Sequence, residues 1–159
     1  MTKQSLLRLA ACLALCLAVG GITGSVTAAE IPTWYARLNQ PSWTPPNWAF
    51  PVVWTALYVM MGVALWLLWE RAAAGAARGW AIGLFFVQLA LNAAWSPVFF
   101  SLHRTGWALA IIVALVLCLA ALILNAWRAQ RTAAWLLAPY LLWVAYATTL
   151  NAGILALNP

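Results

Sequence analysis

The sequence predicts an all-α integral membrane protein, a bundle of five transmembrane helices in one domain. Three observations carry that prediction. Of 159 residues, eight are basic and two acidic, so 6% are charged and 67% are hydrophobic. An ordinary soluble domain carries about a quarter charged residues, and this chain could not cover itself with a polar surface. The apolar residues also fall into long unbroken runs, each near the roughly 20 residues one spanning helix needs. Those runs lack the alternation of about ten-residue segments that a membrane β-barrel would show.

The first span runs over about 5–27. Lys3 and Arg8 before an apolar run that ends in Val26-Thr27-Ala28-Ala29 also resemble a cleavable signal peptide. The uncharged stretch from Leu9 to Ala29 is long enough to span, and the retained helix is the favoured reading. The other spans cover about 48–69, 79–102, 106–127 and 132–157, with short connections apart from the segment 28–47. Lys3, Arg8, Arg71, Arg78, Arg128 and Arg131 fall on one side, and Arg37 and Arg104 on the other. By the positive-inside rule the N-terminus is cytoplasmic in a plasma-type membrane, although delivery to an outer membrane would lift that rule. The charge of +6 therefore reads as topology with some attraction to anionic lipid. No basic cluster tracks phosphates, which argues against nucleic acid.

Conventional catalytic chemistry is missing from the sequence. Glu30 and Glu70 lie at helix ends on opposite sides of the membrane and cannot form an acid/base pair. His103 beside Arg104 reads as a solvated loop residue, not a metal ligand. Cys12 and Cys16 share a helix face and Cys118 sits on another span, with no Cys/His spacing for a metal. No phosphate-cradling glycine loop, nucleophile elbow or carboxylate relay is present.

The twelve tryptophans are more than headgroup anchoring needs. Gln88 and Asn92, at i and i+4, share one face of the third span with Trp95. They either bond between helices or line a cavity. Trp54 and Tyr58 repeat the spacing on the second span. Pro139, Trp143 and Ala147 do so on the fifth, with Asn151 a turn on and Tyr146 beside that face. Pro97 should bend or end the third helix. Three spans each contributing an aromatic and a polar neighbour point to a shared pocket. The loop 28–47 holds Trp34, Tyr35, Trp43, Pro41, Pro45 and Pro46, and reads as an interfacial belt or as a lid over the bundle mouth. Gly75, Gly79 and Gly83, like Gly20 and Gly24, recur every four residues and suggest a homodimer or tight internal packing.

These residues resemble the tryptophan-rich sensory protein family, also called the translocator protein or peripheral-type benzodiazepine receptor family. The resemblance lies in Trp34-Tyr35, Pro41-Ser42-Trp43-Thr44-Pro45-Pro46, Trp54 with Leu57-Tyr58, and Gln88-Leu89-Ala90-Leu91-Asn92 with Trp95 and Phe99-Phe100. It continues through Gly106-Trp107-Ala108-Leu109, Pro139-Tyr140-Leu141 with Trp143, Ala147-Thr148 and Leu150-Asn151, in the family's order. The resemblance implies a bacterial member with five helices, usually dimeric. It implies binding of protoporphyrin IX and other tetrapyrroles, and of isoquinoline carboxamide and benzodiazepine ligands, with no cofactor required. By position Trp54, Asn92 and Trp143 match pocket-lining residues, and Tyr58, Gln88, Trp95, Trp107, Ala147 and Leu150 match its walls. Some bacterial members promote light-dependent breakdown of bound porphyrin, and Trp54 and Trp143 match the tryptophans implicated. One departure concerns sterols: Tyr146 is present, but no basic residue follows it, which argues against the C-terminal cholesterol-recognition pattern. Three functions are open on this footing. They are a porphyrin receptor or carrier acting in tetrapyrrole handling or stress sensing, a light-dependent porphyrin-degrading enzyme, and a scaffold whose cavity is only packing.

Overall fold

A computed structural model describes residues 2–159. It holds five long helices and no strand among the described residues: α1 (Lys3–Glu30), α2 (Ala49–Glu70), α3 (Ala76–Ser96), α4 (Thr105–Ala129) and α5 (Arg131–Leu157). All five are long and apolar enough to cross a membrane, as the composition demands of a backbone that must satisfy its own hydrogen bonds in lipid. The protein is a multi-pass integral membrane protein. α1, α4 and α5 are slightly longer than their apolar runs because polar and charged flanks continue the same ladder.

α1 starts at Thr2, whose hydroxyl accepts from the Ser5 N–H, and α5 starts at Gln130, whose side chain accepts from the Thr132 N–H. α3 does not stop at Pro97. It passes into a π-helical turn, Pro97–Ser101, which carries Phe99 and Phe100 inward. A proline cannot donate to the α ladder, and the wider turn is one way the helix absorbs that loss. Pro139 stays inside α5 without ending it.

Around the bundle the helices run α1, α2, α5, α4, α3 and back to α1, with α2 also touching α3. Alternating directions put Lys3, Arg8, Glu70, Arg71, Arg78, Arg128 and Arg131 at one end, called inner here, and the segment 31–48 at the outer end. At the inner end Arg8 pairs with Glu70 at 2.6 Å, and Arg78 donates to the Trp69 carbonyl at 2.6 Å, closing the end of α2. The inner half is solid. Met61, Leu65 and Leu68 of α2, Phe85 of α3, Leu119 and Leu122 of α4 and Leu137 of α5 are fully enclosed. α1 approaches α2 closely at Gly62, where a Cβ would meet the Leu13 Cα at 2.9 Å.

The glycine rows separate. Gly20 packs on the Tyr58 ring, so it does serve close helix contact. Gly24, Gly75, Gly79 and Gly83 have no atom within 4 Å of an added Cβ. Internal packing is therefore not what places small residues along the start of α3.

Candidate functional site

The outer half of the bundle is hollow. A cavity of about 400 Å³ is lined by all five helices and by the end of the connecting segment. Its floor is set by the innermost lining residue of each helix: Leu17, Tyr58, Asn92, Leu115 and Trp143. Trp54, Trp95, Phe50 and Phe100 form aromatic walls, with Val144 and Ala147 from α5. A smaller lobe of about 40 Å³ adjoins it, sharing Trp95, Phe100 and Ala147 and adding Tyr35, Leu150 and Asn151. No charged side chain lines either space.

Each floor residue arrives by helical spacing. Tyr58 lies one turn inward of Trp54, and their rings are 5.6 Å apart. The Tyr58 hydroxyl donates to Asn92 Oδ1 at 2.5 Å and lies 3.3 Å from Thr23 Oγ1. Asn92 Nδ2 donates to the Tyr140 hydroxyl at 2.7 Å. The Trp54 ring stands edge-on to Tyr140 at 6.0 Å. The buried polar floor thus joins α1, α2, α3 and α5, and its members are worth more together than apart in a low-dielectric setting. Trp95 Nε1 donates to Asn151 Oδ1 at 3.1 Å, and Asn151 Nδ2 donates to the Thr105 carbonyl at 2.9 Å. That chain fixes the indole plane and leaves its stacked contact with Phe99, at 5.0 Å, behind the wall.

Of the expected ligand-facing residues, Trp54, Tyr58, Asn92, Trp95, Trp143 and Ala147 come together at the cavity, and Leu150 reaches the smaller lobe. Two fall elsewhere. Gln88 is fully buried one turn inward of Asn92, beneath the floor, and both its amide atoms lack a partner among the described residues. Trp107 is 72% exposed on the outer surface of α4 and lines neither space. Its place in the first turn of a spanning helix is where indole rings sit among headgroups.

The wall missed by sequence reasoning is α1. Leu17, Gly20, Gly21, Thr23, Gly24, Thr27 and Ala28 all face the cavity. No aromatic or amide marks that face, and the only signal was its run of small residues. Gly21, Gly24 and Ala28, with Pro51 and Thr55 of α2, are exposed on the outside as well as lining the cavity, so the hollow opens sideways between α1 and α2.

The segment 31–48 closes the outer end. Ile31 and Asn47 line the main cavity and Tyr35 the smaller lobe, whereas Trp34 and Trp43 line neither. Trp34 instead packs edge-on to Phe99 at 5.5 Å and stacks on His103 at 4.2 Å. His103 is an exposed loop residue, as expected, and its Nε2 also lies 3.5 Å from Glu30 Oε2, with its backbone left-handed at φ 53°. Burial pushes the Tyr35 phenol above its ordinary value, and Tyr146 adds to the shift. Three contacts fasten the segment to α5. The Tyr146 hydroxyl donates to the Trp43 carbonyl at 2.6 Å. Pro41 packs on Gly153, where a Cβ would come 2.5 Å from its Cγ. The Asn39 N–H donates to Asn158 Oδ1 at 2.9 Å while Asn158 Nδ2 donates to the Asn39 carbonyl at 3.0 Å.

Five spanning helices around a charge-free aromatic cavity, capped by a tryptophan-bearing segment, define a class of small membrane protein with an internal apolar chamber. The chain belongs to the TspO/MBR family, whose model matches residues 12–157. It is 41% identical to the tryptophan-rich protein TspO of Chlorobaculum tepidum over the whole of both chains. It is 34% identical to protein CrtK of Rhodobacter capsulatus, over 89% of this chain and 88% of that one. With the translocator protein of Homo sapiens it shares 41% identity over 74% of this chain and 70% of the human one.

Proposed function

We propose that the protein is a membrane receptor or carrier for porphyrins and other flat apolar ligands, with protoporphyrin IX as the representative ligand. The carrying observation is the chamber of about 400 Å³, which lies within the roughly 300–1,000 Å³ typical of small-molecule sites. A porphyrin is a flat apolar disc with two carboxylates on one edge. Trp54, Trp95, Trp143 and Tyr58 offer faces and edges to such a disc. An ionised carboxylate in this charge-free interior would lose its hydration without a partner. The carboxylate edge is therefore directed to the mouth, towards Asn47 and the headgroup zone where Arg37 lies. Isoquinoline carboxamides, also flat and apolar, would use the same walls, and the segment 31–48 would act as the lid.

The reading includes a homodimer through α3. Gly75, Gly79 and Gly83 have open space above them, and Trp80, Phe86 and Val87 beside them are exposed. Backbones can approach closely along such a face. Cross-linking in lipid bilayers should capture dimers of the wild type and far fewer of Gly79→Leu.

Protoporphyrin IX titration in the dark, followed by tryptophan quenching, tests the main claim. Saturable quenching that weakens in Trp54→Phe and Trp143→Phe, and is abolished when Ala147→Trp fills the chamber, is expected. Equal, non-saturable quenching in all four proteins means partition into the micelle and ends the reading.

A second reading has its own support, because Trp54 and Trp143 both face the cavity. These indoles would serve as electron relays in light-dependent porphyrin breakdown. Bleaching of bound pigment under illumination, lost in Trp54→Phe or Trp143→Phe, decides for it. Stable pigment in the light with intact binding decides against it.

A further inference from the structure

The polar side chains around the chamber are almost all spent on the protein itself. Thr23 donates to the Val19 carbonyl at 2.9 Å, Thr27 to Thr23 at 3.0 Å and Thr55 to Pro51 at 2.7 Å. Each makes the bond to the carbonyl four residues back that is usual for a helical hydroxyl. Tyr58 and Asn92 are committed to each other and to Tyr140, and the Trp95 N–H to Asn151. A wall satisfied in this way recognises shape and contributes no polar selectivity.

Ser96 is the exception inside the bundle. It lines the chamber one helical turn outward of Asn92, with only 8% of its surface exposed. It makes no bond to the Asn92 carbonyl and has no other partner among the described residues. Trp143 Nε1 is also unpartnered, but that atom is shut in by its neighbours, so the ring and not the N–H meets the chamber. Ser96 Oγ is not among the shut-in atoms. Asn47 is unpartnered too, but it stands exposed at the mouth, where water and headgroups satisfy it.

We infer that Ser96 supplies the hydrogen bond by which this chamber selects a neutral polar edge, a carbonyl or ring nitrogen, on an otherwise flat apolar ligand. This rests on the proposal that the chamber takes flat ligands. It adds a rule of choice among them. A hydroxyl both donates and accepts, so either edge type is served. A ligand lacking such an edge leaves Ser96 Oγ buried and unpaired, which is the usual source of discrimination at a buried polar group.

The test uses two probes of one shape: benzanthrone, a flat ketone, and its deoxygenated hydrocarbon parent. Both are titrated into detergent-purified wild type, Ser96→Ala and Ser96→Thr, with protoporphyrin IX alongside. The quantity read is the ratio of the two affinities, in which partition into the micelle cancels between proteins. Ser96→Ala should lower the benzanthrone preference about fivefold, the worth of one neutral hydrogen bond. Ser96→Thr, which keeps the hydroxyl, should retain it, and this variant guards against a mere packing effect. An unchanged ratio in Ser96→Ala, or an equal loss in Ser96→Thr, overturns the inference. If the ring probes bind saturably with this dependence but protoporphyrin IX does not, the porphyrin reading falls and the Ser96 inference stands. No saturable binding of any probe overturns both.

Discussion

The two halves of the bundle solve the same problem differently. The inner half holds its helices together by enclosed aliphatic and aromatic side chains and by a glycine that lets α1 touch α2. The outer half gives that packing up to a chamber and relies on a hydrogen-bonded floor and a segment fastened to α5. In lipid the tails are as apolar as leucine, so helices associate through close packing and through polar bonds. The inner half uses the first and the outer half the second. Stability and open space are thereby separated along the bundle axis, with the Tyr58–Asn92–Tyr140 layer as the divider.

That layer is where the comparison breaks most easily. Asn92→Leu would leave the Tyr140 hydroxyl buried without a partner, at about 1–3 kcal/mol, and the Tyr58 hydroxyl with only Thr23 Oγ1. Thermal unfolding in detergent should show the largest loss of any single change here, and Tyr58→Phe a clearly smaller one. Next comes Gly62→Val, which forces a side chain against the α1 backbone. Overpacking of this kind costs about 1–3 kcal/mol. Ligand affinity per folded molecule should hold, and a parallel fall would show that the halves are coupled. Asn158→Ala removes both bonds to Asn39 and sharpens the comparison from the outer side. We expect a stability loss near 1 kcal/mol, with ligand release faster by several-fold in stopped-flow measurements. The smallest effect belongs to Arg8→Ala. The ion pair with Glu70 is half exposed and contributes at most about 1 kcal/mol, less still at high salt.

The spans were legible because lipid imposes a length and forbids charge, and both are visible in composition. The floor was half legible. Helical spacing put Trp54 with Tyr58 and Asn92 with Trp95, but one turn of depth cannot be read from spacing. Gln88 shares the face of Asn92 and still ends beneath the chamber. Trp107 followed the resemblance to the pocket and stands instead exposed on the first turn of α4, because an indole at a helix end suits either a pocket or the headgroup zone. α1 was illegible as a wall, since absence of side chain leaves no pattern that distinguishes packing from open space. Gly20 and Gly24 show the two outcomes one turn apart. Ser96 was unreadable for a different reason. Whether a helical hydroxyl turns back to its own carbonyl depends on local geometry next to Pro97, not on residue type.

The sideways opening between α1 and α2 changes which concentration matters. Gly21, Gly24, Ala28, Pro51 and Thr55 border the chamber and are exposed on the outside of two membrane-spanning helices. On the proposed function, a hydrophobic guest dissolved in the bilayer would meet the chamber at its mole fraction in lipid, enriched far above its aqueous level. Occupancy measured at fixed total ligand should fall as lipid is added at constant protein, simply by dilution within the membrane plane. Affinities for such a protein are comparable between preparations only when expressed per lipid.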